Sequence, residues 1–154
     1  MSTPQATLAP TPNARSTPPP RVLCVDDNVD ACTMLGLVLR MQGYEVQMAH
    51  TGLGALASAM TWRPDVVLLD IGLPGIDGYE VARRLRAEPA TRTARLVALT
   101  GHGNAEDLQL GREAGFDAHL LKPADPSEVE TLLAGWKEPS LSSSIRTPPL
   151  TVVV

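Results

Sequence analysis

The pattern of apolar and polar positions in the middle of the chain predicts five short strands. Continuous apolar runs are typical of strands buried on both faces of a parallel sheet, and four occur, at residues 22–25, 66–69, 96–99 and 120–121. Residues 44–49 alternate between apolar and polar side chains, which favours a half-exposed edge strand. The strands begin roughly 22 to 30 residues apart, the length of a strand plus a crossover helix. The pattern therefore predicts parallel strands connected by helices.

The gaps between these strands contain apolar residues at helical spacing. Asp77 and Asp125 each have a glutamate three residues later and are predicted to cap the helices that follow. Residues 105–114 have a weaker stripe and are predicted as a fourth helix. Five alternations of strand and helix predict a doubly wound α/β fold with a five-stranded parallel sheet. The three regular stripes are Ala31, Met34, Leu35 and Val38; Leu53, Leu56, Ala57 and Met60; and Val129, Leu132, Leu133 and Trp136.

Proline and charge separate this middle segment from two ends. Of 14 prolines, six lie in residues 1–20 and three in residues 139–154, and each end has one charged residue. Such segments bury little apolar surface. We therefore expect residues 1–20 and 139–154 to be disordered tails, with residues 152–154 an unstructured end, and residues 21–138 to form one domain.

Charge and cysteine content restrict the partners and the compartment. The 13 basic residues include Arg15 and Arg146 in the tails, which leaves 11 against all 17 acidic residues in the domain. This excess argues against a nucleic-acid surface and favours a protein or a cation as partner. Cys24 and Cys32 lie among apolar residues, as core cysteines of a reducing compartment do. Since no apolar segment suits a signal peptide or a membrane span, we expect a cytoplasmic protein without membrane or direct nucleic-acid contact.

Side chains suited to phosphate chemistry follow four of the predicted strands. In doubly wound folds, ligands bind beyond the carboxyl ends of the strands. Three carboxylates at one edge repel one another, and a Mg²⁺ ion with oxygen ligands relieves that repulsion. We expect them to hold Mg²⁺ together with a main-chain carbonyl near Gly72 and water. The side chains at the strand ends are Asp26 and Asp27, Asp70, Thr100, and Lys122.

Asp70 follows a central strand and is the geometric candidate for a nucleophile. A carboxylate can attack phosphorus and form an aspartyl phosphate. The transferred group needs its oxygens stabilised, which Lys122 can do by charge and Thr100 by a hydrogen bond. The set therefore predicts a phosphoacceptor site.

Four segments that contain these residues resemble the receiver domains of two-component response regulators. They are VLCVDDN at 22–28, VVLLDIGLPGIDG at 66–78, ALTG at 98–101 and LLKP at 120–123. The phrases TGHG at 100–103 and AGFDAHLLKP at 114–123 are especially similar to receivers of hybrid sensor kinases. The resemblance covers about residues 21–136 and implies a flavodoxin-like sheet with strand order 2-1-3-4-5.

The resemblance also implies roles for individual residues. Asp70 would take a phosphoryl group from a histidine kinase or a histidine phosphotransfer protein. Asp26 and Asp27 would hold Mg²⁺. Thr100 and Lys122 would then contact the phosphoryl group, with Thr100 moving towards it as part of a switch. The Lys122–Pro123 bond would be cis, with Pro123 aiming the lysine inward, and Pro74 would shape the loop after Asp70.

Three positions depart from the family's pattern or bear on the lifetime of the phosphoryl group. His119 stands where the family commonly has a Tyr or Phe that swings inward on activation, so it is the candidate switch residue of unusual type. Gly72 and His102 occupy positions that influence hydrolysis of the acyl phosphate in the family. The histidines show no metal-ligand spacing, so we expect His50, His102 and His119 at the surface or rim of the site. Arg83, Arg84 and Arg86 are predicted to form a solvated helix face.

Three functions remain open from the sequence. The first is a single-domain response regulator or phosphorelay receiver, or a receiver severed from a hybrid kinase, which is not an enzyme beyond its own phosphorylation and dephosphorylation. The second is a Mg²⁺-dependent phosphohydrolase with an aspartyl-phosphate intermediate, although Gly72 stands where such enzymes place a second acid. The third is an interaction module that keeps the fold without phosphorylation.

Overall fold

A parallel sheet forms the centre of the molecule, and the chain winds around it from strand to helix. The computed structural model describes residues 18–137 and 151–153. The strands are β1 (Arg21–Val25), β2 (Glu45–Ala49), β3 (Val66–Asp70), β4 (Arg95–Thr100), β5 (Ala118–Leu121) and β6 (Thr151–Val153). The helices are α1 (Val29–Met41), α2 (Gly52–Trp62), α3 (Gly78–Ala87), α4 (Ala105–Ala114) and α5 (Pro126–Lys137).

The sheet has the order β2-β1-β3-β4-β5-β6 with parallel pairing throughout. Its first five strands confirm the predicted fold and the strand order 2-1-3-4-5. The apolar runs of β1, β3 and β4 are buried on both faces because helices cover both sides of the sheet. One core contains Leu23, Leu69 and Leu96 below α2 and α3, and the other contains Leu68 and Leu120 below α1 and α5.

Side-chain caps fix where several helices begin. Asn28, Thr51, Asp77 and Asn104 each accept a hydrogen bond from the backbone N–H three residues later. Asp125 accepts from the N–H of Ser127 at the start of α5. The predicted caps at Asp77 and Asp125 are therefore confirmed, and so is the helix at residues 105–114.

The buried faces of α1 and α2 differ from the predicted stripes. On α1, Cys32, Leu35 and Leu39 face the sheet, whereas Met34 is 64% exposed. On α2, small residues such as Ala55 and Ala59 lie against the sheet and Leu53 is 65% exposed. Both helices have more apolar residues than one face needs, so spacing alone does not decide which stripe is buried. The stripe predicted for α5 is confirmed at Val129 and Leu133, which are buried.

The C-terminal end also differs from prediction in part. Thr151–Val153 form β6, a short strand parallel to β5, so residues 152 and 153 belong to a strand and not to the unstructured end that we expected. Without β6, β5 would be an edge strand with unpaired N–H and C=O groups. The β-branched residues of β6 favour the extended backbone that can pair with these groups. The predicted disorder of residues 1–17, 139–150 and 154 lies outside the described residues. Within the described part of the chain, no helix is long and apolar enough to span a membrane.

Arg86 contradicts the predicted solvated arginine face because it links α3 to the ends of neighbouring elements. Its guanidinium donates to the carbonyls of Arg92, Ala94 and Gly115 and to the carboxylate of Asp117, over 2.6 to 3.0 Å. These bonds join α3 to the start of β4 and to the turn before β5. By contrast, Arg83 and Arg84 are exposed, and among the described residues each forms an ion pair only with Glu80.

Replacing Arg86 by methionine should therefore destabilise the domain. The change keeps the aliphatic stem and removes every hydrogen bond of the guanidinium, which we expect to lower the free energy of unfolding by about 3 kcal/mol. Urea denaturation measures this. The matched change Arg84→Met on the same helix should cost about 0.5 kcal/mol or less. Equal losses in the two variants would contradict the structural role of Arg86.

Candidate functional site

Four neighbouring strands bring the predicted site residues to one edge of the sheet. Asp70 is the last residue of β3, and Thr100 is the last of β4. Asp26 follows β1 directly, and Lys122 follows β5. Because the strands are parallel and adjacent, their carboxyl ends meet at the crevice expected for a doubly wound fold.

Three carboxylates lie together in this crevice. Asp26, Asp27 and Asp70 each offer an oxygen, and these oxygens lie within 4.8 Å of one another. Asp26 and Asp70 are each only 5% exposed, whereas Asp27 lies open to solvent. A cluster of hard oxygen donors with one open side suits a divalent cation such as Mg²⁺, which keeps some of its water ligands. The donor set therefore fits the predicted metal.

Lys122 supplies the positive charge within the crevice. Its Nζ lies 3.1 Å from Oδ2 of Asp70 and 3.5 Å from Oδ2 of Asp26. The Lys122–Pro123 peptide bond is cis, as the family resemblance predicts. The backbone N–H of Lys122 also donates to the carbonyl of Thr100 over 2.8 Å, which holds the end of β5 against the end of β4.

The crowding of these charges changes their proton affinities. Burial raises the pKa of Asp26 above its ordinary value, and the Asp70 carboxylate adds to the rise, while the Asn28 N–H and the Lys122 ammonium oppose it. Burial alone would lower the pKa of Lys122, but its hydrogen bond and charge interaction with Asp70 outweigh burial and raise that pKa. Lys122 is therefore held in its charged form beside the two buried acids.

Two residues outside the predicted site set hold the acidic turn after β1. The N–H of Asn28 donates to Oδ1 of Asp26 over 2.9 Å. The ring nitrogen Nδ1 of His50, at the end of β2, lies 3.0 Å from the carbonyl oxygen of Asp26. Asn28 could have been identified from the sequence, because it is a favoured capping residue directly after the acids. His50 could not be identified in this way, because its role depends on the pairing of β2 with β1.

Thr100 reaches the crevice with its hydroxyl engaged by its own loop. Its Oγ1 donates to the carbonyl oxygen of His102 over 2.7 Å and accepts from the N–H of His102 over 3.1 Å. The side chain of His102 is exposed, as expected. A hydroxyl held by a short loop can change partners when that loop moves.

The loop after Asp70 brings backbone close to the carboxylate. The N–H of Gly72 donates to Oδ1 of Asp70 over 2.9 Å, and Pro74 lies exposed further along the loop. Gly75 has a φ of +80°, which favours glycine. A Cβ on Gly78 would lie 2.5 Å from Cα of Ile71, so only glycine lets α3 begin so close to β3.

His119 does not lie at the surface or rim, which corrects the prediction for this residue. It is 1% exposed on β5, between the sheet and α4, with its ring centroid 5.9 Å from that of Phe116. Side chains alternate between the two faces of a strand, and His119 lies on the same face of the sheet as its cross-strand partner Ala98. Because α4 covers this face, the ring is buried. Its predicted role as a switch residue stays a prediction.

An apolar groove borders the crevice on the side of α1 and α5. Its volume is about 520 Å³, and Asp26 and Lys122 lie on its lining. The remaining surface is mostly apolar and includes Ala31, Met34, Leu35, Val38, Ala124 and Pro126. The outward stripe of α1, which we predicted to face the core, therefore lines a groove that opens beside the acids.

The chain matches known proteins over most of the described domain. Residues 22–134 match the response regulator receiver domain. The DNA-binding response regulator MtrA of Mycolicibacterium paratuberculosis is 39% identical over 109 residues, which cover 71% of this chain and 47% of MtrA. The chain therefore spans about half the length of that relative.

Two solved structures extend the comparison. The chemotaxis response regulator CheY4 of Vibrio cholerae is similar with a TM-score of 0.72 and 31% identity, over 76% of this chain and 98% of CheY4. The receiver domain of the sensor histidine kinase PA1611 of Pseudomonas aeruginosa has a TM-score of 0.70 and 33% identity, over 77% of this chain and 97% of that chain. That structure has a magnesium ion coordinated in its active-site cleft. Fold, site and similarity agree that the chain belongs to the response regulator receiver domain family.

Proposed function

We propose that this chain accepts a phosphoryl group on Asp70 from a phosphohistidine and signals through protein contacts. The observation that carries the proposal is the position of Asp70: a buried carboxylate at the centre of the crevice, 3.1 Å from Lys122 and within a cluster of three acids. The proposed donor is a histidine kinase or a histidine phosphotransfer protein. We propose that the chain has no enzymatic activity beyond its own phosphorylation and dephosphorylation. We also propose that it acts as a receiver and does not itself contact nucleic acid.

The transfer needs one bond to form and one to break. An oxygen of Asp70 attacks phosphorus, the bond between phosphorus and the imidazole nitrogen breaks, and the electron pair of that bond leaves with the imidazole. The product is a mixed anhydride on Asp70. Attack by water on this anhydride would return Asp70 and release inorganic phosphate.

Each residue of the site has a part in this reaction. Asp26, Asp27 and Asp70 are proposed to hold Mg²⁺, with the main-chain carbonyl of Gly72, and the bound ion would neutralise charge on the phosphoryl oxygens. The Lys122 ammonium, which now pairs with the carboxylate of Asp70, would pair with a phosphoryl oxygen instead. Thr100 would release the carbonyl of His102 and donate to another oxygen.

Two buried cysteines support a cytoplasmic location for this function. Cys24 and Cys32 are both free and buried, and Sγ of Cys32 donates to the carbonyl oxygen of Cys24. Burial raises the pKa of Cys24 to about 12 and that of Cys32 to about 11, so neither is a reactive thiolate. Inert thiols in the core are typical of proteins in a reducing compartment.

The phosphoacceptor assignment is tested by incubating the protein with Mg²⁺ and phosphoramidate, a small donor with a phosphorus–nitrogen bond. We expect intact mass spectrometry to show a labile gain of one phosphoryl group, which is absent without Mg²⁺ and in Asp70→Asn. Asp65→Asn is the matched control, because Asp65 lies next to the opposite end of β3. Absence of any gain with this donor and with phosphorylated phosphotransfer proteins would favour an interaction module. Sustained turnover of phosphate esters would favour a hydrolase.

The buried negative charge of Asp26 should lower the free energy of unfolding of the metal-free domain. Since the pKa of Asp26 is raised in the folded state, protonation favours folding, and this contribution is lost as pH rises through the raised pKa. Asp26→Asn removes the buried charge and should stabilise the metal-free domain at pH 7 by on the order of 1 kcal/mol, or about 4 °C in Tm. The gain should shrink as the pH is lowered towards the acidic range.

Magnesium should raise the Tm of the wild type and have little effect on Asp26→Asn, because one ligand is neutral in the variant. Asp30→Asn, on the exposed first turn of α1, is the control and should keep the full response to Mg²⁺. A lower Tm in metal-free Asp26→Asn at pH 7 would contradict the raised pKa of Asp26, and an unchanged response to Mg²⁺ would contradict the proposed metal site.

The apolar groove beside the crevice is proposed to receive the protein donor. It borders Asp26 and Lys122, so a helix seated there could present a phosphohistidine to Asp70. Met34→Glu places a charge in the groove and should slow transfer from a phosphorylated phosphotransfer protein at least tenfold without changing phosphorylation by phosphoramidate. Leu53→Glu is the control, because Leu53 is equally exposed but lies on α2. Equal effects of the two variants on transfer from the protein donor would overturn the assignment of the groove.

A further inference from the structure

The buried position of His119 disfavours a positive charge on its ring. The residue is 1% exposed, and neither ring nitrogen has a hydrogen-bond partner among the described residues. Buried polar groups are nearly always hydrogen-bonded, so an imidazole with both nitrogens unpartnered is unusual. A neutral ring leaves one donor and one acceptor unsatisfied here, and a protonated ring would leave two donors and a charge.

The packing of α4 on β5 depends on where this ring lies. Gly111 of α4 lies directly over the ring, and a Cβ at this position would be 2.5 Å from Nε2 of His119. The ring therefore fills the space that a side chain of α4 would otherwise take. Since backbone of α4 closes this space, the ring can reach solvent only if α4 moves away from β5.

The groups around the ring do little to support a positive charge. From α4, Asp107 raises the pKa of His119 and Arg112 lowers it, but burial has the largest effect and leaves the pKa below its ordinary value. From α3, Tyr79 contacts Phe116 edge-on, and its buried hydroxyl also has no hydrogen-bond partner among the described residues. The neighbours on β4 and in the turn before β5 are Ala98 and Phe116, which have no charge.

We propose that His119 makes the packing of α4 against β5 depend on protons: protonation expels the imidazole from beneath Gly111 and loosens α4. A proton would then act as a second input to the receiver, independent of the phosphoryl group on Asp70. Its effect would reach the site by a short path, because Lys122 follows His119 by three residues on the same segment.

The direction of this effect follows from the two states of the ring. The expelled ring has the ordinary pKa of about 6.5, and the packed ring has a lower one. The packed state therefore binds fewer protons. It is fully favoured above about pH 6.5 and loses stability relative to the loosened state as the pH falls below that value, by up to tenfold in the equilibrium constant per pH unit.

NMR titration of the wild-type imidazole rings tests whether the pKa of His119 is lowered in the folded domain. We expect the His119 ring to titrate below the ordinary imidazole value of about 6.5. Hydrogen exchange, corrected for the intrinsic pH dependence of amide exchange, tests whether α4 loosens in acid. Protection of the α4 amides should fall several-fold between about pH 7.5 and pH 5.5 in the wild type.

The variant His119→Phe keeps an aromatic ring that cannot titrate, and its α4 protection should not change over this range. His119→Leu serves the same purpose if phenylalanine overpacks against Gly111. His102→Gln is the control and should retain the acid-induced loss of protection. The proposal is overturned if the His119 ring titrates at or above about 6.5, or if the variants at position 119 lose α4 protection in acid as the wild type does.

Discussion

Two buried carboxylates held beside one ammonium group are the constraint on which the rest of this molecule depends. Asp26 and Asp70 are each 5% exposed, and Lys122 lies within 3.5 Å of both. Like charges in this arrangement raise the energy of the metal-free domain, because burial removes much of their hydration. The site is therefore built to gain from a divalent cation and from a phosphoryl group that gives Lys122 a new partner.

The fold keeps these charges in place with bonds that lie outside the reacting groups. Parallel pairing brings the ends of β1, β3, β4 and β5 together, and the helix caps fix the loops that leave them. Asn28 and His50 hold the acidic turn, and the N–H of Gly72 holds Asp70. Arg86 joins α3 to the turn before β5, at the opposite end of α4 from the loop that engages Thr100.

The sequence was sufficient for the fold and for the meeting of Asp26, Asp70 and Lys122 at one edge of the sheet, because both follow from strong local signals. Apolar runs fixed β1, β3 and β4, and the polar residues after them had to meet at one edge of a parallel sheet. It was insufficient where two helix faces were equally apolar, so the exposed faces of Met34 and Leu53 were assigned to the core. It also placed His119 at the surface, because the burial of a polar residue on β5 depends on α4 packing over it. β6 was missed because its pairing with β5 is long-range, and nothing in three residues indicates it.

The central claim is that Asp70 becomes an aspartyl phosphate, and the position of the new bond is the most direct test of it. Borohydride reduces an acyl phosphate to an alcohol, which converts the aspartate to homoserine. After treatment with phosphoramidate and Mg²⁺, reduction and peptide mass spectrometry should find homoserine at position 70, with Asp26 and Asp27 unchanged. Homoserine at either of those positions, or at none despite a confirmed gain of one phosphoryl group, would contradict the account.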